Sequence, residues 1–249
     1  YTTSAWLNYQ RYYAWFVDLG MGRYRSAQDR LEKLAQREFN QSKHPEDVPD
    51  YILWYRGLAA AHVLQYEKAI NDFRTLLDRQ ERKAQRDQVV HVPLHDNEYR
   101  FMLASLHHMA GHTDSAVALY QQALERDLGL VMAHTYLASI HEGAGRAADA
   151  LIERRRAAEV DSDDPTALFD LAASYFNAGQ LIEADEPLRK AIKLNARYSP
   201  SYYLLGRVTE ELGLPEEARD HYEAFLALSP RSSGGLRARA VSRLGKLPK

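Results

Sequence analysis

Seven of the ten histidines lie between residues 91 and 141: His91, His95, His107, His108, His112, His134 and His141. Imidazole takes and gives protons near neutral pH and is a common ligand of transition metals, so this is where chemistry would be sought first. The company such histidines need is missing. There is no HExxH, no GxSxG, no glycine-rich phosphate loop and no Cys–His pair. The chain has 0 cysteines, which removes thiolate catalysis, disulfides and cysteine-ligated zinc. The acids are scattered as solvating charge. These observations assign no catalytic residue, no metal ligand and no cofactor, and they read the chain as not an enzyme.

The elements that would position any site follow from composition and register. The 249 residues are 45% hydrophobic and 27% charged, ample for a folded core. A formal net charge of -2 gives no bias toward nucleic acid. No apolar run reaches the roughly 18 residues of a membrane span. The absence of cysteine is compatible with a cytoplasmic or an exported protein and mildly suits the latter, and the chain opens at Tyr1 rather than Met, which is compatible with removal of an upstream piece. Aromatic residues stand out: three tryptophans, the last at Trp54, and 16 tyrosines.

From Asn97 to Ser232 the chain divides into four blocks of 34 residues: Asn97–Leu130, Val131–Asp164, Pro165–Tyr198 and Ser199–Ser232. Position 7 is Leu103, Leu137, Leu171 and Leu205; position 8 is Ala104, Ala138, Ala172 and Gly206. Position 15 is Gly111, Gly145, Gly179 and Gly213, and position 20 is Ala116, Ala150, Ala184 and Ala218. Positions 24, 27 and 28 continue an apolar stripe at helical spacing, as in Tyr222, Phe225 and Leu226. The pattern resembles the tetratricopeptide repeat, a pair of helices A and B that stacks into a solenoid. The small residue at 8 lets the two helices approach, and the glycine at 15 ends helix A in a left-handed conformation.

Two earlier units follow the same register. Asn8–Gln41 carries Gly22 at 15 and Ala27 at 20, but the bulky Trp15 stands at 8, which predicts a splayed or shifted pair. Asp50–Lys83 carries Gly57 at 8 and Ala69 at 20, with Arg56 in place of the position-7 leucine and Leu64 in place of the turn glycine. Residues 42–49, with two prolines, predict a loop, and 84–96 predict a helical extension followed by an irregular stretch from Val89 to Asp96. That stretch is read as sealing the joint between units, with a peptide-mimicking self-ligand as the alternative. Pro187, at position 23, predicts a kink or a late helix start, and Arg154 takes a position-24 slot normally aromatic or leucine. The basic tail 233–249 reads as a cap helix, with an anionic-surface anchor as the alternative.

The resemblance implies an all-α, right-handed α-solenoid (superhelix): one domain over 1–249 with repeats at 8–41, 50–83, 97–130, 131–164, 165–198 and 199–232. It also implies a concave surface formed by helix A positions 2, 5, 6, 9, 12 and 13. Those positions are aromatic toward the N-terminus, giving Tyr12, Phe16, Tyr51, Trp54, Tyr55 and Phe101 as candidate anchors. They are polar further on, giving His108, Glu142, Arg207 and Glu210. The lysine and asparagine set with which some relatives hold a chaperone's C-terminal carboxylate is absent. His107 and His141 share position 11 and His134 holds position 4, which predicts packing rings rather than ligands. Consecutive aromatics at 5 and 6 point in two directions, which predicts that one of Trp54 and Tyr55 is buried and that Trp54 faces the groove. The reading is a scaffold that binds a peptide segment or helix of another protein. The alternatives are a structural or self-associating subunit, or the regulatory region of a longer enzyme.

Overall fold

A computed structural model describes residues 14–44, 47–87, 94–230 and 234–248, with the backbone alone at 87 and 94–96. Among these residues there are helices and turns and no strand. The chain gathers into two compact units, Tyr1–Asp127 and Leu128–Lys249.

The first unit holds α1 (helical over 14–20), α2 (Tyr24–Ser42), α3 (Asp50–His62), α4 (Tyr66–Asp87), α5 (Leu94–Met109) and α6 (Thr113–Arg126). The second holds α7 (Val131–Gly143), α8 (Ala147–Val160), α9 (Pro165–Asn177), α10 (Leu181–Leu194), α11 (Ser199–Glu211), α12 (Pro215–Leu228) and α13 (Gly234–Leu244). The alanines of the repeat register are the close-contact points: Ala27, Ala69, Ala116, Ala184 and Ala218 are 0% exposed and Ala150 is 1% exposed. The family's large B-helix residues fill the adjoining core, with Phe73, Tyr120, Leu188 and Tyr222 fully buried. The architecture is an all-α solenoid of paired helices.

The turns between A and B helices share one geometry. The glycines at 22, 111, 145, 179 and 213 all have φ between 71° and 83°. In the second pair Leu64 adopts the same conformation at φ 63°. A left-handed leucine costs more than a glycine there because its Cβ crowds the following carbonyl. Across each turn the amide of position 16 donates to the carbonyl of position 11, as in Arg23 to Asp18 (2.8 Å), His112 to His107 (2.8 Å) and Gln180 to Tyr175 (2.9 Å), closing the Schellman arrangement.

Several local expectations change. Trp15 is buried, and its indole packs on Tyr55 and Tyr51 of α3. Helix α2 runs through Ser42, and Lys43 ends it at φ 66°. Helix α4 extends to Asp87 as the polar AQRDQ stretch predicts, but α5 begins at Leu94, so 94–96 is helix rather than loop. Its sequence reason is Pro93, immediately before the first helical residue, where a proline commonly precedes a helix. Residues 88–93 lie outside the described residues, so the self-ligand reading falls there. Helix α10 is continuous from Leu181 through Pro187, so the proline does not delay its start.

The tail forms α13, and two of its basic residues engage the last pair. Arg237 Nη1 donates to the carbonyls of Leu226 and Ser229 at 2.6 and 2.9 Å, satisfying the C-terminal end of α12. Arg243 donates to Glu210 at 2.9 Å, and Ala240 is fully buried. Two of the tail's five basic side chains are therefore directed into the protein, which favours the cap over the anionic anchor. Leu236 and Val241, which share a face in the sequence with Ala240 and Leu244, are exposed.

Candidate interaction surface

The first unit places an aromatic cluster around Trp15. Its ring lies 4.8 Å from Tyr55, 6.3 Å from Tyr51 in a stacked arrangement, and 5.9 Å from Phe16, edge-on. Trp15 itself is 5% exposed, whereas Phe16 is 58% and Tyr51 42% exposed. The solvent-facing rings thus rest on a buried indole, which holds them with little loss of side-chain freedom on contact. Tyr12 lies outside the described residues.

Trp54 and Tyr55 are both half-buried. Trp54 packs edge-on against Phe73 of α4 at 5.0 Å and against Tyr99 of α5 at 5.6 Å. Tyr55 packs backward, on Trp15 of α1. Adjacent residues on a helix diverge by about 100°, so the two rings fill the joints with the preceding and the following A helix. Sequence alone did not show this, because a helix pair taken in isolation has only one inward face. Phe101 is half-buried and lies 5.7 Å from Tyr120.

The second unit brings polar candidates together in a different way. Arg154 leaves α8 where Tyr120 and Tyr222 leave theirs and does the same job with charge. Its guanidinium donates to Asp170 at 3.0 Å, to Glu142 at 3.2 and 3.3 Å, and to Ser139 at 3.3 Å. Tyr120 Oη lies 3.0 Å from Ser105 Oγ, and Tyr222 Oη donates to Glu210 at 2.6 Å. The side chain at position 24 therefore ties helix B to positions 9 and 12 of helix A. Burial raises the Asp170 carboxyl above its ordinary range, against the pull of Arg154. Burial likewise pushes the Tyr222 hydroxyl up, and its bond to Glu210 adds to the shift. The Glu210 carboxyl is held down by donation from Tyr222 and Arg243, which outweighs burial.

Arg207 lies 4.8 Å over the ring of Phe176 and bridges Glu211 at 2.7 Å. Glu142 also accepts from Ser174 at 3.2 Å. Glu142, Arg207 and Glu210 are thus committed to internal partners, and Asp170 and Arg154, which complete the network, belong with them. His108 is half-buried. His107, His134 and His141 are buried as their packing positions predict, and His134 Nδ1 lies 2.6 Å from Glu153. Among the described residues no group of three histidine, aspartate or glutamate side chains could hold a metal ion. No helix there is long and apolar enough to cross a membrane.

Residues 101–165 match the tetratricopeptide repeat family model, and residues 143–225 match the model for anaphase-promoting complex, cyclosome, subunit 3. Paired helices in this register, with small residues at 8 and 20, define the repeat scaffolds as a class. Residues 101–165 thus carry tetratricopeptide-type repeats, and that is the family this chain resembles. Its fold is similar to the C-terminal part of a TPR repeat-containing protein from Cytophaga hutchinsonii, with a TM-score of 0.70 at 15% identity over 94% of each chain. A MamA structure gives a TM-score of 0.56 at 19% identity, covering 73% of this chain and 92% of that one. Yeast Tom70 gives 0.59 at 16% identity, covering 88% of this chain and 42% of Tom70. At these identities the likeness concerns the fold alone. No curated protein sequence matches this one. The repeats place the chain among protein-interaction scaffolds, a class that is generally non-catalytic.

Proposed function

We propose that the chain binds a peptide segment or a helix of a partner protein on the aromatic surface of its first unit. The observation that carries this is the exposure of Phe16 and Tyr51 beside the buried Trp15. Large rings left in solvent on a rigid support are the usual anchors of a protein interface. Tyr55 joins these anchors through Trp15, while Trp54 and Phe101, half-buried against Phe73, Tyr99 and Tyr120, would extend the surface with their exposed edges. The polar set His108, Glu142, Arg207 and Glu210 contributes less, because three of its members are already engaged with other neighbours.

The test is capture of a partner by the intact chain, followed by titration of that partner against the wild type, Phe16→Ala and Tyr51→Ala. Each substitution is expected to weaken binding by about 2 kcal/mol or more with little change in melting temperature. Unaltered affinity in both variants would overturn the aromatic surface as the site. Light scattering after size exclusion at several concentrations separates the competing reading, in which a second copy covers these rings. A dimer that dissociates on Phe16→Ala would establish self-association instead.

A further inference from the structure

We propose that His107 and His112 form an acid-sensitive latch across the turn between α5 and α6. His107 ends the buried part of α5 and is 8% exposed; His112 stands at the N-terminal boundary of α6. The two are joined twice, by the backbone bond from the His112 amide to the His107 carbonyl and by their facing Nδ1 atoms at 3.2 Å. The same two repeat positions in the first pair are Asp18 and Arg23, joined by a permanent ion pair of 2.7 Å. The third pair thus closes the same turn with two imidazoles, which must share a proton where the first pair has opposite charges.

A hydrogen bond between two Nδ1 atoms needs one to carry a proton and the other to offer its lone pair. One excess proton leaves the bond intact. An imidazolium at His112 donates from Nδ1 to a bare His107 Nδ1, while Glu67 of α4 faces its Nε2 at 3.6 Å. The second proton has no such place. It removes the acceptor and sets two cations in contact on a largely buried ring. Burial resists charge on His107, and Arg74 of α4 and His112 oppose it further, against a weaker pull from Glu67. His107 is therefore held below its ordinary range, and the sign follows. The contribution is fully present above about pH 6.5, the unfolded histidine value, and is lost progressively as pH falls below it. Acid then opens the turn and frees the facing ends of α5 and α6.

Hydrogen exchange read on peptides spanning 107–116, corrected for the chemical exchange rate, tests the latch in the full chain. Protection is expected to fall measurably between pH 7.5 and 5.5, in the direction that the lowered His107 imidazole requires. The turn joining α9 and α10, where Tyr175 and Gln180 occupy these positions, should not change. His112→Gln removes the second cation and offers an amide oxygen to a protonated His107, so it should reduce the dependence to the part that burial and Arg74 impose. Ring ¹⁵N spectra of the wild type give a second readout that needs no variant: His107 should keep a bare Nδ1 until protection fails. An equal acid loss in His112→Gln would overturn the latch. So would His107 gaining its second proton with protection unaltered.

Discussion

Arg56 grips both carboxylate oxygens of Asp72, Nε to Oδ2 at 2.9 Å and Nη2 to Oδ1 at 2.5 Å, in the place where four other pairs carry a leucine. Asp72 is 3% exposed, and burial pushes its carboxyl up against the pull of Arg56. The pair is a bidentate bond with most of its desolvation already incurred. Removing Arg56 leaves the buried Asp72 without its bidentate partner, and removing Asp72 leaves Arg56 with only the exposed Glu32 at 3.4 Å. Asp72→Ala is expected to cost about 3–5 kcal/mol. The double change Arg56→Leu with Asp72→Ala, which restores the leucine of the other pairs, should recover most of that. Urea unfolding of the three variants checks it. A double variant as unstable as the single one would mean that the pair contributes net stability.

Leu64 is the one turn residue in the glycine register that carries a side chain, and 71% of it is exposed. It gains little from packing and carries the full crowding of a positive φ. Leu64→Gly should stabilise the chain by about 1 kcal/mol, because the left-handed conformation costs a non-glycine residue about that much or more. Thermal melting reads the gain. A loss would show that the exposed leucine makes a contact worth more than the relief of strain.

Much of this fold is legible because the repeat states its geometry six times. The alanines at position 20 and the glycines at 15 mark a close contact and a turn, and local chemistry alone requires both. The partition of the site was less legible. Trp54 and Tyr55 are neighbours on one helix, and the sequence offers no sign that each leans on a different adjoining helix. Arg154 stood out as a charge in an apolar slot. Its partners Glu142 and Asp170 are 12 and 16 residues away, and only the stacking of α7, α8 and α9 brings them together. The latch escaped for a similar reason. His107 read as a packing ring and His112 as one more histidine of the cluster, because a five-residue separation has meaning only once the turn is closed.

Gly206 tests the packing rule at position 8. A methyl group there would lie 2.8 Å from the ring of Tyr222. The ring is fully buried and its hydroxyl is tied to Glu210, so it has nowhere to withdraw. Gly206→Ala should destabilise the chain by about 1–3 kcal/mol through overpacking. The preceding pair accommodates Ala172 opposite Leu188, both fully buried. Gly206→Ala with Tyr222→Leu should therefore regain part of the loss, short of the missing hydrogen bond to Glu210. Equal melting temperatures for wild type and Gly206→Ala would rule out the close approach.

The aromatic surface divides into rings that hold helices together and rings that face solvent, and the two kinds should separate in one experiment. Trp54 packs on Phe73 and Tyr99, so Trp54→Ala opens a cavity between α3, α4 and α5. The loss should approach about 3 kcal/mol, the lower end for a buried tryptophan, because the ring is only half-buried. Phe16 contacts Trp15 edge-on and is otherwise largely in solvent, so Phe16→Ala should cost well under 1 kcal/mol of stability, a surface-like value. Denaturant midpoints give these costs without any partner. Affinity for a captured partner then reports the other half, with Phe16→Ala weakening it and Trp54→Phe, which keeps much of the packing, changing it little. If Trp54→Phe abolishes binding while Phe16→Ala leaves it intact, the anchor is the half-buried indole and the ligand enters between α3 and α5. If both leave affinity intact, the site lies away from this surface.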